Sequence, residues 1–89
     1  MESIRTVDED GDIKYHNENG ELHREDGPAY EDKHGYKVWL IKGKYHREDG
    51  PAFEYTDGDV EYWLNDIEYS KEDYEVEVVK LKLNRLIEL

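Results

Sequence analysis

The sequence predicts a mainly β protein (α+β overall), an antiparallel meander of stacked β-hairpin repeats followed by one C-terminal α-helix. Two observations carry this prediction. The segment from His23 to Ala29 returns unchanged as His46 to Ala52, which gives the chain a period of 23 residues. After Ser70 the pattern changes, and apolar residues recur at helical spacing. The repeats should therefore form the sheet, and the last segment should form the helix.

The repeat divides a single predicted domain, residues 1–89, into two full units and a partial one. Each unit has a glycine at its start and an aromatic residue four positions later. The predicted units cover about residues 11–34, 35–57 and 58–69. Chain reversals recur about every eight residues in these units, which favours antiparallel hairpins.

The segments between the turns are short and rich in aromatic and β-branched residues, which is typical of strands. The repeated Glu-Asp-Gly-Pro is turn chemistry, because glycine supplies positive φ and proline prevents a helix. The predicted strands are Tyr36–Ile41, Tyr45–Arg47, Ala52–Tyr55 and Val60–Leu64. Because aromatic side chains bury the most area per residue, we expect the core at Trp39, Phe53, Tyr62 and Trp63.

The predicted helix covers about residues 71–88 and begins at a capping sequence, Ser70-Lys71-Glu72-Asp73. Tyr74 to Val78 also alternates as a strand would, but the doubled Val78-Val79 breaks that alternation. The apolar residues form two stripes on nearly opposite sides of this helix. One stripe is Val76, Val79, Leu83, Leu86 and Ile87, and the other is Tyr74, Val78, Leu81 and Leu89.

A single helix on a sheet normally needs one apolar stripe. Either the helix packs into the domain with irregular patterning, or one stripe docks on the sheet and the other meets a partner chain. On the second interpretation the protein is a homodimer built around the C-terminal helix. The predicted seam is Val76, Val79, Leu83 and Leu86.

Composition limits the functions open to the chain. It has 24 acidic residues against 12 Lys and Arg, a net charge of -12, and no cysteine. The negative charge is repelled by phosphate, so we expect no direct binding to nucleic acid or to membranes. No apolar run is long enough to span a bilayer, and the first residues are unlike a signal peptide. We expect a soluble, cytoplasmic protein that binds no cofactor.

At the repeat, Trp39-x-x-x-Gly43-x-x-His46-Arg47-x-Asp49-Gly50-Pro51-Ala52 resembles a short repeat found in proteins of tailed bacteriophages and giant viruses. The resemblance covers about residues 11–74. The period is also similar to that of the MORN repeat, a hairpin unit in which an aromatic residue precedes glycine and a histidine follows it. Glu-Asp-Gly-Pro-Ala replaces the Gly-x-Gly ending of that repeat. The resemblance implies a viral protein and a hairpin-repeat fold, and it assigns no activity.

The recurring His23-Arg24 and His46-Arg47 are the first candidates for a site. A metal site would pair these histidines with nearby aspartates, but repetition favours a structural ladder, because an active site need not recur in every unit. Asp8-x-Asp10-x-Asp12 is similar to a calcium loop, yet Ile13 stands where that loop needs glycine. We therefore predict a solvated acidic turn, no metal site and no enzyme.

The leading hypothesis is a non-enzymatic phage accessory protein that binds and inhibits a host protein through an acidic repeat surface. An anti-phage defence factor such as a nuclease complex is the suggested target. One alternative is a sponge for a nucleotide signal, in which charged side chains hold phosphates and a tryptophan stacks on a base. Its residues would be His23, Arg24, Trp39, His46, Arg47 and Trp63. A minor virion or assembly component, or a merely solvated repeat surface, also remains open.

Overall fold

The structure is a computed structural model that describes residues 3–88. Within that range nine short strands precede one helix, which confirms the predicted fold class. The strands are β1 (Ile4–Val7), β2 (Ile13–His16), β3 (Tyr30–Glu31), β4 (Lys37–Val38), β5 (Leu40–Ile41), β6 (Lys44–Tyr45), β7 (Phe53–Glu54), β8 (Val60–Leu64) and β9 (Ile67–Tyr69). The helix is α1 (Lys71–Glu88).

Seven strands form one antiparallel sheet in the order β1-β2-β3-β4-β7-β8-β9, and β5 pairs with β6 in a separate hairpin. The single strand predicted over Tyr36–Ile41 is divided at Trp39, whose N–H donates to the carbonyl of Ala52 at 2.8 Å. Lys42 and Gly43 reverse the β5–β6 hairpin with φ of 51° and 79°. Asn65 takes the equivalent positive φ of 49° one period later, so the backbone repeats along with the sequence.

Strand pairing assigns the side chains to two faces of the sheet. Residues directly opposite one another in antiparallel strands share a face, so Tyr30, Val38, Phe53 and Glu61 form one row across β3, β4, β7 and β8. Alternation along β8 places Tyr62 on the other face. There its ring contacts that of Tyr74 in α1, with 4.8 Å between centroids. The helix therefore packs on the face opposite the Tyr30–Glu61 row.

The core differs from the one expected. The main buried cluster consists of residues at most 8% exposed, namely Ala29, Val38, Leu40, Ala52 and Phe53. Of the expected aromatic core only Phe53 is buried, whereas Trp39, Tyr62 and Trp63 are half-buried. A single sheet layer cannot enclose large rings on both faces, so small alanines at equivalent positions of the two units fill the tightest sites.

The helix begins as predicted, since Ser70 Oγ accepts a hydrogen bond from the N–H of Asp73 at 3.2 Å. Tyr74 and Val78 are buried with Leu64 in a second small cluster, against which Leu81 packs. Val76, Val79, Leu83 and Leu86 are between 52% and 67% exposed. Leu89, which the sequence placed in the docked stripe, lies outside the described residues. No helix within residues 3–88 has the length and hydropathy to cross a membrane.

Candidate functional site

The two copies of the repeated segment build equivalent loops, the first loop (residues 23–29) and the second loop (residues 46–52). In each loop the arginine lies over an aromatic ring of its own unit. The Cζ of Arg24 lies 4.1 Å from the ring centroid of Tyr15, and that of Arg47 lies 3.9 Å from the ring of Trp39. Each Nε donates to the aspartate two residues later at 3.0 Å, and each Nη1 donates to the carbonyl of the following proline.

A glycine in each loop leaves room for the guanidinium group that crosses it. A Cβ added at Gly27 would lie 2.8 Å from Arg24 Cζ, and one at Gly50 would lie 2.9 Å from Arg47 Cζ. Both separations are shorter than ordinary van der Waals contact. The arginines fold back over their own loops, so the loop sequence is explained by its own packing.

The two histidines brace the reversal of the following hairpin. Nδ1 of His23 accepts a hydrogen bond from the N–H of Lys42 at 2.9 Å, and Nδ1 of His46 accepts one from Asn65 at 3.1 Å. Nε2 of His46 lies 2.8 Å from the carboxylate of Glu48. Nε2 of His23 is buried and has no such partner among residues 3–88, although Glu25 stands at the equivalent position. The two loops therefore share the same histidine–backbone hydrogen bond and differ in the carboxylate contact of the histidine.

The carboxylate of Glu48 links the second loop to α1. Both of its oxygens accept hydrogen bonds from the guanidinium of Arg85. These bonds, helped by His46 and opposed by burial, lower the pKa of Glu48 to about 2. Glu48 is thus ionised over the neutral range, and the helix is attached to the second loop by a charge-assisted contact.

A groove of about 750 Å³ lies between the two loops and α1. It brings together four of the six residues predicted to bind a nucleotide, whereas His23 and Trp63 are not among its lining residues. The four are Arg24, Trp39, His46 and Arg47. Both arginines are bonded to aspartates and lie over rings, and one of them covers a face of Trp39. These contacts compete with any phosphate or base that enters the groove.

Three acidic turns stack at the other end of the sheet, where β3 and β7 finish. They are residues 8–12, 32–36 and 55–59. The N–H of Lys33 donates to Asp12 Oδ1 at 3.2 Å and joins the first two turns. A Cβ at Gly35 would lie 4.0 Å from Thr56 Cγ2, so the second turn packs on the third. The turns carry one lysine and seven carboxylates. The seven carboxylates are here called the acidic column and belong to Asp8, Glu9, Asp10, Asp12, Asp32, Asp57 and Asp59.

Some of these carboxylates shape the turns themselves. Asp8 Oδ1 accepts hydrogen bonds from the N–H groups of Asp10 and Asp12, both at 3.0 Å. Asp32 Oδ1 accepts two in the same way within the second turn. The carboxylates of Asp8, Asp10 and Asp12 lie within 4.8 Å of one another, as they commonly do in exposed acidic turns. The sequence indicated the first of these turns but not their stacking, which depends on the sheet register.

Six aromatic rings cover the sheet face opposite α1, with neighbouring centroids 4.7–6.2 Å apart. They are Tyr30, Tyr36, Tyr45, Phe53, Tyr55 and Trp63, here called the aromatic face. Sequence reasoning missed this surface because it assigned two of its rings, Phe53 and Trp63, to a core. The alternation of side chains between the two faces along β7 and β8 was the available signal, because it places Phe53, Glu61 and Trp63 on the same face of the sheet.

No family model, curated protein or solved structure matches the chain. A function is therefore inferred from the surfaces described above.

Proposed function

We propose that the chain is a non-enzymatic phage accessory protein that binds a basic surface of a host protein and inhibits it. The acidic column is the contact surface. The observation that carries this proposal is the stacking of three turns, which concentrates seven carboxylates and one lysine at one end of the sheet. Such a surface attracts a cationic groove and accelerates association with it.

The proposed target class is an anti-phage defence factor with a nucleic-acid-binding groove, such as a nuclease complex in the host cytoplasm. A groove that neutralises phosphates carries clustered Lys and Arg side chains. A chain of net charge -12 would occupy that groove in place of nucleic acid. The histidines and arginines of the two loops support a non-enzymatic role. These residue types are common in active sites, but here all four hold the repeat together through hydrogen bonds.

The proposal is tested by phage plating on strains that each carry one nuclease-based defence system and express the chain. The column variant Glu9→Gln/Asp10→Asn/Asp59→Asn removes three negative charges and keeps the turn-shaping carboxylates of Asp8 and Asp32. We expect the wild type to restore plating on one strain and to capture the defence protein in a salt-sensitive complex. The column variant should lose both effects.

A matched control removes three exposed charges elsewhere, as Glu18→Gln/Glu25→Gln/Glu72→Gln. It should behave as the wild type. If the column variant and the control lose activity equally, net charge rather than the acidic column is responsible. If no strain is rescued by the wild type, the inhibitor proposal is wrong.

The nucleotide sponge and the virion component remain proposals with direct tests. Thermal-shift measurements with cyclic di- and oligonucleotides would show a rise in melting temperature if the groove binds them. The internal contacts of Arg24 and Arg47 make the groove a weaker candidate than the acidic column. Mass spectrometry of purified particles would detect the chain if it is a virion component.

We also propose that two copies associate through the outer side of α1, at Val76, Val79, Leu83 and Leu86. The first half of the helix carries four acids and one lysine, and the second half carries three bases and one acid. Antiparallel pairing of two such helices places opposite charges and opposite helix dipoles side by side. The helix contacts the second loop, away from the acidic turns, so self-association leaves the acidic column free.

A further inference from the structure

The aromatic face carries a second recognition surface beside the acidic column. We infer that it binds an arginine-rich segment of the partner protein, an inference that rests on the proposed binding of a basic partner. The surface is centred on Tyr36, Tyr45, Tyr55 and Glu61. The partner's guanidinium groups would lie over the tyrosine rings and donate to the carboxylates among them.

The rings are accessible and held in place. Tyr45 and Tyr55 are each 37% exposed, while Phe53 beneath them is 8% exposed. The carboxylate of Glu61 accepts a hydrogen bond from the Tyr55 hydroxyl at 2.7 Å and another from Trp63 Nε1 at 2.9 Å. Tyrosine and tryptophan supply large contact areas at low entropic cost, especially when their rings are already ordered.

The charges around the rings favour a cation. Glu61 lies among them, and the acidic column adjoins them through Tyr30, whose pKa is raised by burial and then by Asp12 and Asp32. Lys14 is the strand partner of Tyr30, so the β2 side of this face already carries a base. The partner's cations therefore belong between Tyr36, Tyr55 and Glu61 rather than at the β2 side.

The molecule already binds guanidinium groups in this way on its other face. Arg24 and Arg47 each lie about 4 Å from a ring centroid and donate to a carboxylate at 3.0 Å. The aromatic face offers the same two elements, a half-exposed ring and a nearby carboxylate. Arginine fits this geometry better than lysine, because a planar guanidinium stacks on a ring and donates in a fork.

Calorimetric titration of the full chain at about 0.15 M salt tests the inference, where exposed charges more than about 8 Å apart are largely screened. The probes are a short peptide of alternating arginine and glycine and its lysine counterpart, which carries the same charge. We expect the arginine peptide to bind about fivefold more tightly. In the variant Tyr45→Ser/Tyr55→Ser that preference should disappear, with about a tenfold loss for the arginine peptide.

The matched control Val60→Ser/Ile67→Ser changes two exposed apolar residues of β8 and β9 on the helix side and should bind both peptides as the wild type does. Circular dichroism verifies that each variant is folded. Equal affinity for the two peptides, or an unchanged preference in the tyrosine variant, would overturn the inference. The inference would also be overturned if the tyrosine variant changed only the mass measured by light scattering, because the aromatic face would then bind a second copy of the chain.

Failure here is separable from failure of the proposed function. Phage plating with the column variant reports on the acidic column alone. If the column variant loses activity while the tyrosine variant keeps both activity and peptide preference, the acidic column acts without the aromatic face. If the peptide preference holds and no strain is rescued, the aromatic face binds arginine but the inhibitor proposal is wrong.

Discussion

The ring of Tyr74 packs on that of Tyr62, tilted by 42° with centroids 4.8 Å apart, at the place where the preceding unit sets Arg47 over Trp39. The Tyr74 hydroxyl accepts a hydrogen bond from the N–H of Gly50 at 3.1 Å and lies against the Arg47 and Gly50 carbonyls, to one of which it donates. The helix thus ends the repeat array by supplying a ring in place of a guanidinium group. This single side chain joins α1 to both the sheet and the second loop.

Replacement of Tyr74 should therefore be among the most destabilising single changes in the chain. Tyr74→Phe keeps the ring contact with Tyr62 and should lower the free energy of unfolding by about 1–2 kcal/mol, because the second loop loses its hydroxyl partner. Tyr74→Ala should cost about 3–5 kcal/mol through the cavity it leaves. Urea denaturation measures both. Tyr69→Phe, a hydroxyl deletion on β9, should change stability by less than Tyr74→Phe does.

The sequence predicts the main elements of this structure but not the position of Tyr74. The period of 23 residues, the turn chemistry and the cap at Ser70 were sufficient to predict the meander and the helix. They could not predict that Tyr74 replaces the missing third arginine, since the period of 23 residues puts Ser70 at the arginine position and Tyr74 at the proline position. The face on which each ring lies was equally hidden, because it depends on strand register and on the break at Trp39. The acidic column needed both the register and the stacking of turns.

The two loop arginines should differ in their sensitivity to replacement by lysine. Arg47 Nη1 donates to Glu54 Oε2 at 3.0 Å in addition to the loop contacts that it shares with Arg24. A lysine keeps the charge but loses the planar fork and the stacking on the ring. Arg47→Lys should therefore destabilise the chain by about 1–2 kcal/mol, and Arg24→Lys by less. Thermal unfolding of both variants checks the order, and the reverse order would contradict it.

Glu48 should make stability depend on pH in acid. Its pKa is lowered from 4.5 to about 2, first by hydrogen bonds from Arg85. A carboxyl whose folded pKa is depressed contributes its stabilisation above the unfolded pKa and loses it as pH falls through the folded pKa. The contribution of Glu48 should thus be complete above about pH 5 and vanish between pH 4.5 and 2.

The variant Glu48→Gln isolates this effect from the other carboxylates. The difference in free energy of unfolding between wild type and variant should be about 1 kcal/mol at neutral pH, since Arg85 is largely exposed and screened. It should shrink towards zero near pH 2. A difference that stays constant across this range would show that Glu48 acts through packing rather than through its charge.

The proposed dimer predicts that charges on the outer side of α1 separate the two copies without unfolding them. Leu83 and Leu86 are 52% and 67% exposed, so Leu83→Glu/Leu86→Glu removes little burial within one chain. We expect the wild type to be a dimer at tens of micromolar by light scattering and the variant to be a folded monomer. Ile4→Glu/Val7→Glu, which charges two equally exposed residues of β1, should leave the dimer intact. A monomeric wild type would show that the dimer is wrong.

Cysteine cross-linking then decides the orientation of the two helices, because the chain has no cysteine of its own. In an antiparallel pair centred near Leu81, Val76 of one copy faces the partner's Leu86, and the two Val76 positions lie about 15 Å apart. Disulfides need Cα atoms within about 7 Å. Val76→Cys and Leu86→Cys should therefore cross-link only when the two variants are mixed. Cross-linking of Val76→Cys with itself would show a parallel pair, in which the acidic halves of the helices lie together and the charge argument fails.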